Sequence, residues 1–351
     1  MKLTFVVGTG RCGSTMLSYI LAIHPDILSV SEFFGILRTA TQQTPHEFPT
    51  GDMDGQQLWT LLAGPDPLLD AQISAGLMPP EMRPPYGYPY GHGRFNVADG
   101  IPLICHNLLA GLTSDPDALF DELAGNVQAW PRRAAPSQYL ALFGLLARLL
   151  GRRVVVERSG ASLELIPMLH RHYPQARFVH MHRDGPDCAL SMSRHPTFRR
   201  QVITAGAALA VGLPPGVGPQ RISEALPRSL RGLVYPPFDA AALMNYPIPL
   251  SVFGRGIWSR MICAGQAALR DLDADMWISL KYESLLREAR SELTRIADFI
   301  GVSAPASWLE EASQLIDPSR EGAAAAIDPE MRASLRDACA PGANAISAAI
   351  G

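Results

Sequence analysis

Leu3-Thr4-Phe5-Val6-Val7-Gly8-Thr9-Gly10-Arg11-Cys12-Gly13-Ser14-Thr15-Met16-Leu17-Ser18-Tyr19-Ile20-Leu21 runs from an apolar stretch through a glycine-rich turn into a second apolar stretch. The pattern predicts a β-strand, a tight turn and a helix start. Three glycines let the backbone turn sharply, and the first helical turn adds unpaired N–H donors at the positive end of the dipole. Against the pattern G-x-x-x-x-G-K-[ST], the loop keeps Gly8, Gly13 and Thr15, while Ser14 stands where the lysine belongs. Its only cation is Arg11. The expectation is a cradle for a phosphate-bearing ligand not handled as Mg-ATP, the alternative being a tight α/β turn with no ligand.

A second anion site is predicted where Ala176 to His182 reads as a buried strand entered after Pro174. Arg183-Asp184-Gly185-Pro186 breaks it, and Asp187 to Met192 reads as helix, with Pro186 at a first helical position and Asp184 near the cap. Arg183 and Ser191 are expected to converge on one phosphate, through a planar fork of donors and a hydroxyl.

The pair G-T-G-R-C-G-S-T and R-D-G-P-D-C-A-L-S, in that order, resembles the two cofactor signatures of sulfotransferases that use 3′-phosphoadenosine-5′-phosphosulfate (PAPS). Leu280-Lys281-Tyr282-Glu283-Ser284-Leu285-Leu286 and the helix from Glu292 to Gly301 resemble that family's Y-E-[DS]-L strand end and the helix after it. Val154 to Gly160 resembles the central strand of its bacterial and tyrosylprotein branches. The resemblance is near absent from 40 to 135 and from 200 to 250. It implies an α/β fold with a P-loop-NTPase-like parallel sheet flanked by helices, and long loop and helical insertions.

The resemblance also implies roles. Gly10, Arg11, Cys12, Gly13, Ser14 and Thr15 would hold the 5′-phosphosulfate, with Arg11 at the bridging and leaving oxygens. Arg183 and Ser191 would hold the 3′-phosphate. PAPS is then the co-substrate, a hydroxylated molecule the acceptor, and no metal is required. His24-Pro25-Asp26 to Glu32-Phe33-Phe34 resembles the H-P-D-I…E of the carboxylate-base branch, so Glu32 is the expected base, enclosed by Phe33 and Phe34. The K-T-H histidine of the aryl branch is replaced by Arg158-Ser159-Gly160, and His106 is the rival base. Arg158 would replace that lysine, Arg194 is offset by one residue from a usual phosphate cation, and Arg320 would close over the nucleotide. The pairs His170/His172 and His180/His182 read as structural.

The chain has 351 residues, 47% hydrophobic and 18% charged, enough for a large core. Because signatures half the chain apart must meet at one nucleotide, one domain over 1–351 is expected, with 41–135 and 197–250 as acceptor-pocket or lid insertions. A net charge of −3 argues against a nucleic-acid surface. Five scattered cysteines suit a reducing cytoplasm. Cys12, beside Arg11 at a helix start, is a possible thiolate. No secretory signal or anchor is expected, since Lys2 precedes only a short strand before the loop. Val202 to Gln220 is uncharged but interrupted by glycine and proline, predicting a mobile loop or apolar lid rather than a membrane span.

Residues 41–106 are rich in proline and glycine. Pro79 to Gly93 is the extreme, either a linker or a packed loop lining an acceptor pocket. Helices are predicted near 115–125, 137–150, 162–172, 254–272 and 288–300, the last ended by Gly301, with another opening at Asp328-Pro329. The unit from the strand at 154 to that at 177 predicts a parallel pair. The apolar insertions favour a lipid, polyketide-like, phenolic or other small hydroxylated acceptor over a polyanion, with a protein tyrosine as the second possibility. A P-loop kinase-like enzyme and a non-catalytic nucleotide-binding protein are the alternatives from other classes.

Overall fold

In a computed structural model, residues 2–41, 47–82, 87–89, 92–214 and 216–350 are described. Seven strands follow in chain order: β1 (Lys2–Val7), β2 (Ile27–Ser31), β3 (Asp52–Met53), β4 (Arg133–Ala134), β5 (Val154–Arg158), β6 (Arg177–His182) and β7 (Trp277–Lys281). Five form one sheet in the order β2-β5-β1-β6-β7, every pair parallel, while β3 and β4 form a separate antiparallel ribbon. This is the expected α/β fold with a parallel sheet flanked by helices.

Strand alternation explains the layers. Phe5, Val7, Val30 and Val155 join the core beneath the helices Phe33–Thr41 and Ala135–Leu149. Val6, Val154, Val156 and Val179 face the other way, against Ser14–Ala22 and Ala289–Ile300. Both faces are buried, which is why the strands read as near-continuous apolar runs. A third cluster, with Ile203, Leu226, Leu233 and Leu243, gathers the short helices between Pro196 and Asn245.

Register places the site. Val6 and Ser31 both pair with Arg158, so β1, β2 and β5 end at one level. The chain leaves β1 toward β2 and leaves β6 toward β7, on opposite sides. The crevice between the carboxyl ends of β1 and β6 is therefore the topological switch point, where open α/β sheets bind ligands. The loops that bound it are Gly8–Gly13 and Arg183–Asp184.

One element differs from expectation. Residues 202–210 are helix rather than loop, because Pro196 starts a helix that runs to Ala210. Gly206 costs that helix about 1 kcal/mol relative to alanine, and the surrounding alanines offset it. The segment breaks only after Ala210. Within Pro79 to Gly93, residues 83–86, 90 and 91 lie outside the described residues, as does Pro215. Tyr88 is fully buried, and its hydroxyl donates to Asp117 at 2.7 Å.

Candidate functional site

Gly10 (φ 76°), Arg11 (φ 57°) and Gly13 (φ 92°) adopt the left-handed conformation, which is how so few residues turn β1 into the helix Ser14–Ala22. Gly13 caps that helix with no side-chain hydrogen bond to its first turn. A Cβ at Gly13 would stand 2.3 Å from the Tyr282 ring, so the turn has room for glycine alone. The Cys12 thiol is fully buried among Val6, Leu17 and Met181. It does not face the crevice, so Cys12 can contribute to the cradle only through its backbone.

Arg11 crosses the crevice. Its Nε donates to the Ser191 hydroxyl at 3.2 Å and its Nη1 to the Glu81 carboxylate at 3.1 Å. Glu81 also meets Nε2 of His195 at 3.2 Å. Burial pushes the Glu81 carboxyl up, but the His195 imidazole and Arg11 guanidinium outweigh it and hold it at about 2. No local pattern marked Glu81; it comes from the proline-rich insertion.

Glu32 follows β2 with φ at 61°. One carboxylate oxygen accepts from Nη1 of Arg158 and the other from the Gly160 N–H at 2.9 Å. Arg158 is itself fixed, donating to Ser18 at 2.9 Å and Ser31 at 3.2 Å. A carboxylate has about four lone-pair positions, so these contacts orient Glu32 without exhausting it. Phe33 and Phe34 do not enclose it. Their rings turn into the aromatic core with Tyr139, Phe143 and Phe48.

Behind Glu32 lies a buried pair that the sequence did not disclose. The Ser159 hydroxyl donates to Glu157 at 2.6 Å and accepts from the N–H groups of Phe34 and Gly35, capping the helix after Glu32. Burial raises the Glu157 carboxyl to about 8. His106, on the turn Cys105–Leu109, is buried with Nε2 3.9 Å from Asp70. Burial drives His106 down to about 4 and Asp70 up to about 6.

The second signature occupies the other side of the crevice. Arg183 donates to Asp187 at 3.2 Å and to the Arg320 carbonyl at 2.8 Å, and its guanidinium lies 4.7 Å over the Tyr282 ring. Asp187 also accepts from the N–H groups of Gly322 and Ala324, tying the 317–324 segment over Arg183. Among the described residues no hydrogen bond joins Arg183 to Ser191, whose hydroxyl is taken by Arg11. The buried Nε of Arg183 has no partner among the described residues. An orphaned guanidinium N–H beside a glycine cradle fits an anionic ligand. Arg194 is exposed at the end of its helix, and the Arg320 guanidinium pairs with Asp317. His180 and His182 stack inside the sheet, with Nδ1 of His180 3.2 Å from Gln266.

A cavity of about 1170 Å³ is lined at one end by Gly10, Arg11, Ser14, Thr15, Glu32, His106 and Arg158, while Arg183 and Ser191 lie outside its lining. Arg38, another residue the sequence reading missed, lines it and donates to the Gly160 carbonyl at 3.2 Å. Among the described residues the three non-glycines with positive φ are Arg11, Glu32 and Ala161, and all three line this cavity. Such conformations cost about 1–3 kcal/mol each and persist where the surroundings over-determine them, as at functional sites.

No protein-family profile matches the chain, and no curated protein matches it. Among solved structures it is similar to the sulfotransferase domain of the Synechococcus PCC 7002 olefin synthase, at 18% identity and TM-score 0.49, covering 97% of this chain and 94% of that one. It is similar to the sulfotransferase domain from the curacin biosynthetic pathway at 14% identity and TM-score 0.48, covering 99% and 98%. A sulfotransferase from Alicyclobacillus acidocaldarius follows at 16% identity and TM-score 0.42, covering 99% and 95%. Chains this distant share an outline, and an outline does not carry a function.

Proposed function

We propose that this chain is a PAPS-dependent sulfotransferase acting on a hydroxyl of a small-molecule, lipid or phenolic acceptor. The observation that carries the reading is the shared cavity of Arg11 and Glu32: a cation from a phosphate-type loop and an oriented carboxylate, both on strained backbone. The chain acts as one unit, in the cytoplasm, with 41–135 and 197–250 shaping the acceptor pocket.

The N–H groups of the first helical turn, with the Ser14 and Thr15 hydroxyls, hold the 5′-phosphate. Arg183 and Ser191 bind the 3′-phosphate, the unpartnered Nε of Arg183 supplying a donor. Bound PAPS supplies the sulfuryl group and a good phosphate leaving group. Glu32 takes the proton of the acceptor hydroxyl as its oxygen bonds to sulfur. Arg11 stabilises the charge that the departing phosphate oxygen gains as the S–O bond breaks with its electron pair. Arg158 and the Gly160 N–H fix the carboxylate so that no reorganisation is needed at the transition state.

The test is incubation with isotopically labelled PAPS and a panel of hydroxylated lipids, phenols and tyrosine peptides, read by mass spectrometry. A labelled sulfate ester on a lipid or phenol supports the reading. Label confined to tyrosine peptides would move the acceptor class, and no labelled product with a chain that binds Mg-ATP instead would overturn the assignment.

A further inference from the structure

The cavity does not end at Glu32. It continues into an arm walled by Ile203, Leu226, Leu233, Val234, Ile257 and Met261, all from the stretch between Pro196 and Arg270. From Thr197 onwards the described lining residues carry no charge except Arg260, which is neutralised by an ion pair with Glu164. The arm opens at a rim of large exposed apolar side chains: Leu209, 74% exposed, with Leu230, Tyr246 and Val252. Isolated exposed apolar residues need no explanation, but four around one cavity mouth do. The other end is polar, with Arg11, Glu32 and Arg158.

From this division, and resting on the sulfotransferase reading, we infer that the acceptor is an alcohol carrying an extended aliphatic chain. Its hydroxyl lies at Glu32, and its chain lies along the arm toward the Leu209 rim. A compact polar acceptor would leave the arm walls against water or empty space, which their composition disfavours. Among the described lining residues from Thr197 onwards, a polyanionic acceptor would find no unpaired cation. The helix Pro196–Ala210 makes the room, presenting Ala205, Gly206 and Ala207 to the cavity. A Cβ built on Gly206 would meet nothing within 4 Å, so this position faces open space.

The experiment is direct binding of 1-hexanol, 1-octanol, 1-decanol and 1-dodecanol to the full chain by calorimetry, without any sulfuryl donor. Burying a methylene releases about 0.8 kcal/mol, so each added carbon should tighten binding about three- to four-fold until the arm is filled. Gly206→Phe should cut dodecanol affinity at least ten-fold while 3′,5′-ADP binding stays within two-fold. Leu209→Lys, at an exposed position where folding is not at risk, should weaken dodecanol more than hexanol. Affinity independent of chain length, or both variants binding dodecanol like the parent, would overturn the inference. Chain-length-dependent binding without 3′,5′-ADP binding would keep the aliphatic arm and sink the sulfotransferase reading. The converse pattern would sink the arm alone.

Discussion

The Glu81 carboxylate stands 3.1 Å from Nη1 of Arg11, an internal anion on the loop's only cation. Arg11 is the group proposed to meet the phosphosulfate, so Glu81 occupies the charge complement that an anionic ligand would otherwise provide. Bringing a phosphate beside both groups sets two like charges against each other. Glu81→Gln should therefore tighten 3′,5′-ADP binding by about ten-fold, about 1.4 kcal/mol, in a calorimetric titration. Weaker binding in that variant would show instead that Glu81 serves to hold Arg11 in place.

Glu81 also predicts an acid transition. Its carboxyl is held at about 2 in the fold against 4.5 ordinarily. As pH falls from 4.5 toward 2 the unfolded chain takes up the proton first, so stability present above pH 4.5 is lost. Denaturation of the parent should steepen over that window relative to Glu81→Gln.

Glu157 predicts the opposite slope. Burial holds its carboxyl at about 8, so between 4.5 and 8 the fold keeps a proton that the unfolded chain releases. Stability then falls as pH rises across that range. Glu157→Gln should flatten this decline in urea titrations at pH 5, 6.5 and 8. A parent whose stability rises across the range would contradict the neutral, buried assignment.

The base is tested by two substitutions. Glu32→Gln should lower kcat by about 10²–10⁴ while leaving 3′,5′-ADP binding within two-fold. His106→Ala should retain most of the transfer activity, because His106 lies buried beside Asp70. Loss of transfer in His106→Ala with survival in Glu32→Gln would reverse the roles.

What the sequence could disclose was contiguous. The β1 strand, its loop and the following helix are neighbours in the chain, and their glycine pattern is a local steric requirement. The strand–helix unit at β6 was legible for the same reason, including Pro186 and Asp184 at its start. Glu32 was reached only through resemblance, and its partner Arg158 lies 126 residues away. Glu81, Arg38 and Glu157 acquire their roles through tertiary contacts that no spacing encodes. The helix over 202–210 contradicts its glycine and proline content because the alanines around Gly206 carry the helix to Ala210 before the breakers act. For Cys12, proximity to Arg11 in sequence says nothing of the direction of its thiol, which turns into the core.

Competitive binding of 3′,5′-ADP, 5′-AMP and Mg-ATP to the full chain separates a 3′-phosphate site from a triphosphate site. A 3′-phosphate held by charge-assisted hydrogen bonds from Arg183 and Ser191 should contribute about 1.5–3 kcal/mol, or ten-fold and more in affinity. 3′,5′-ADP should bind at least ten-fold tighter than 5′-AMP and Mg-ATP, and Arg183→Lys with Ser191→Ala should abolish the preference. Equal binding of all three, or preference for Mg-ATP, would contradict the 3′-phosphate site.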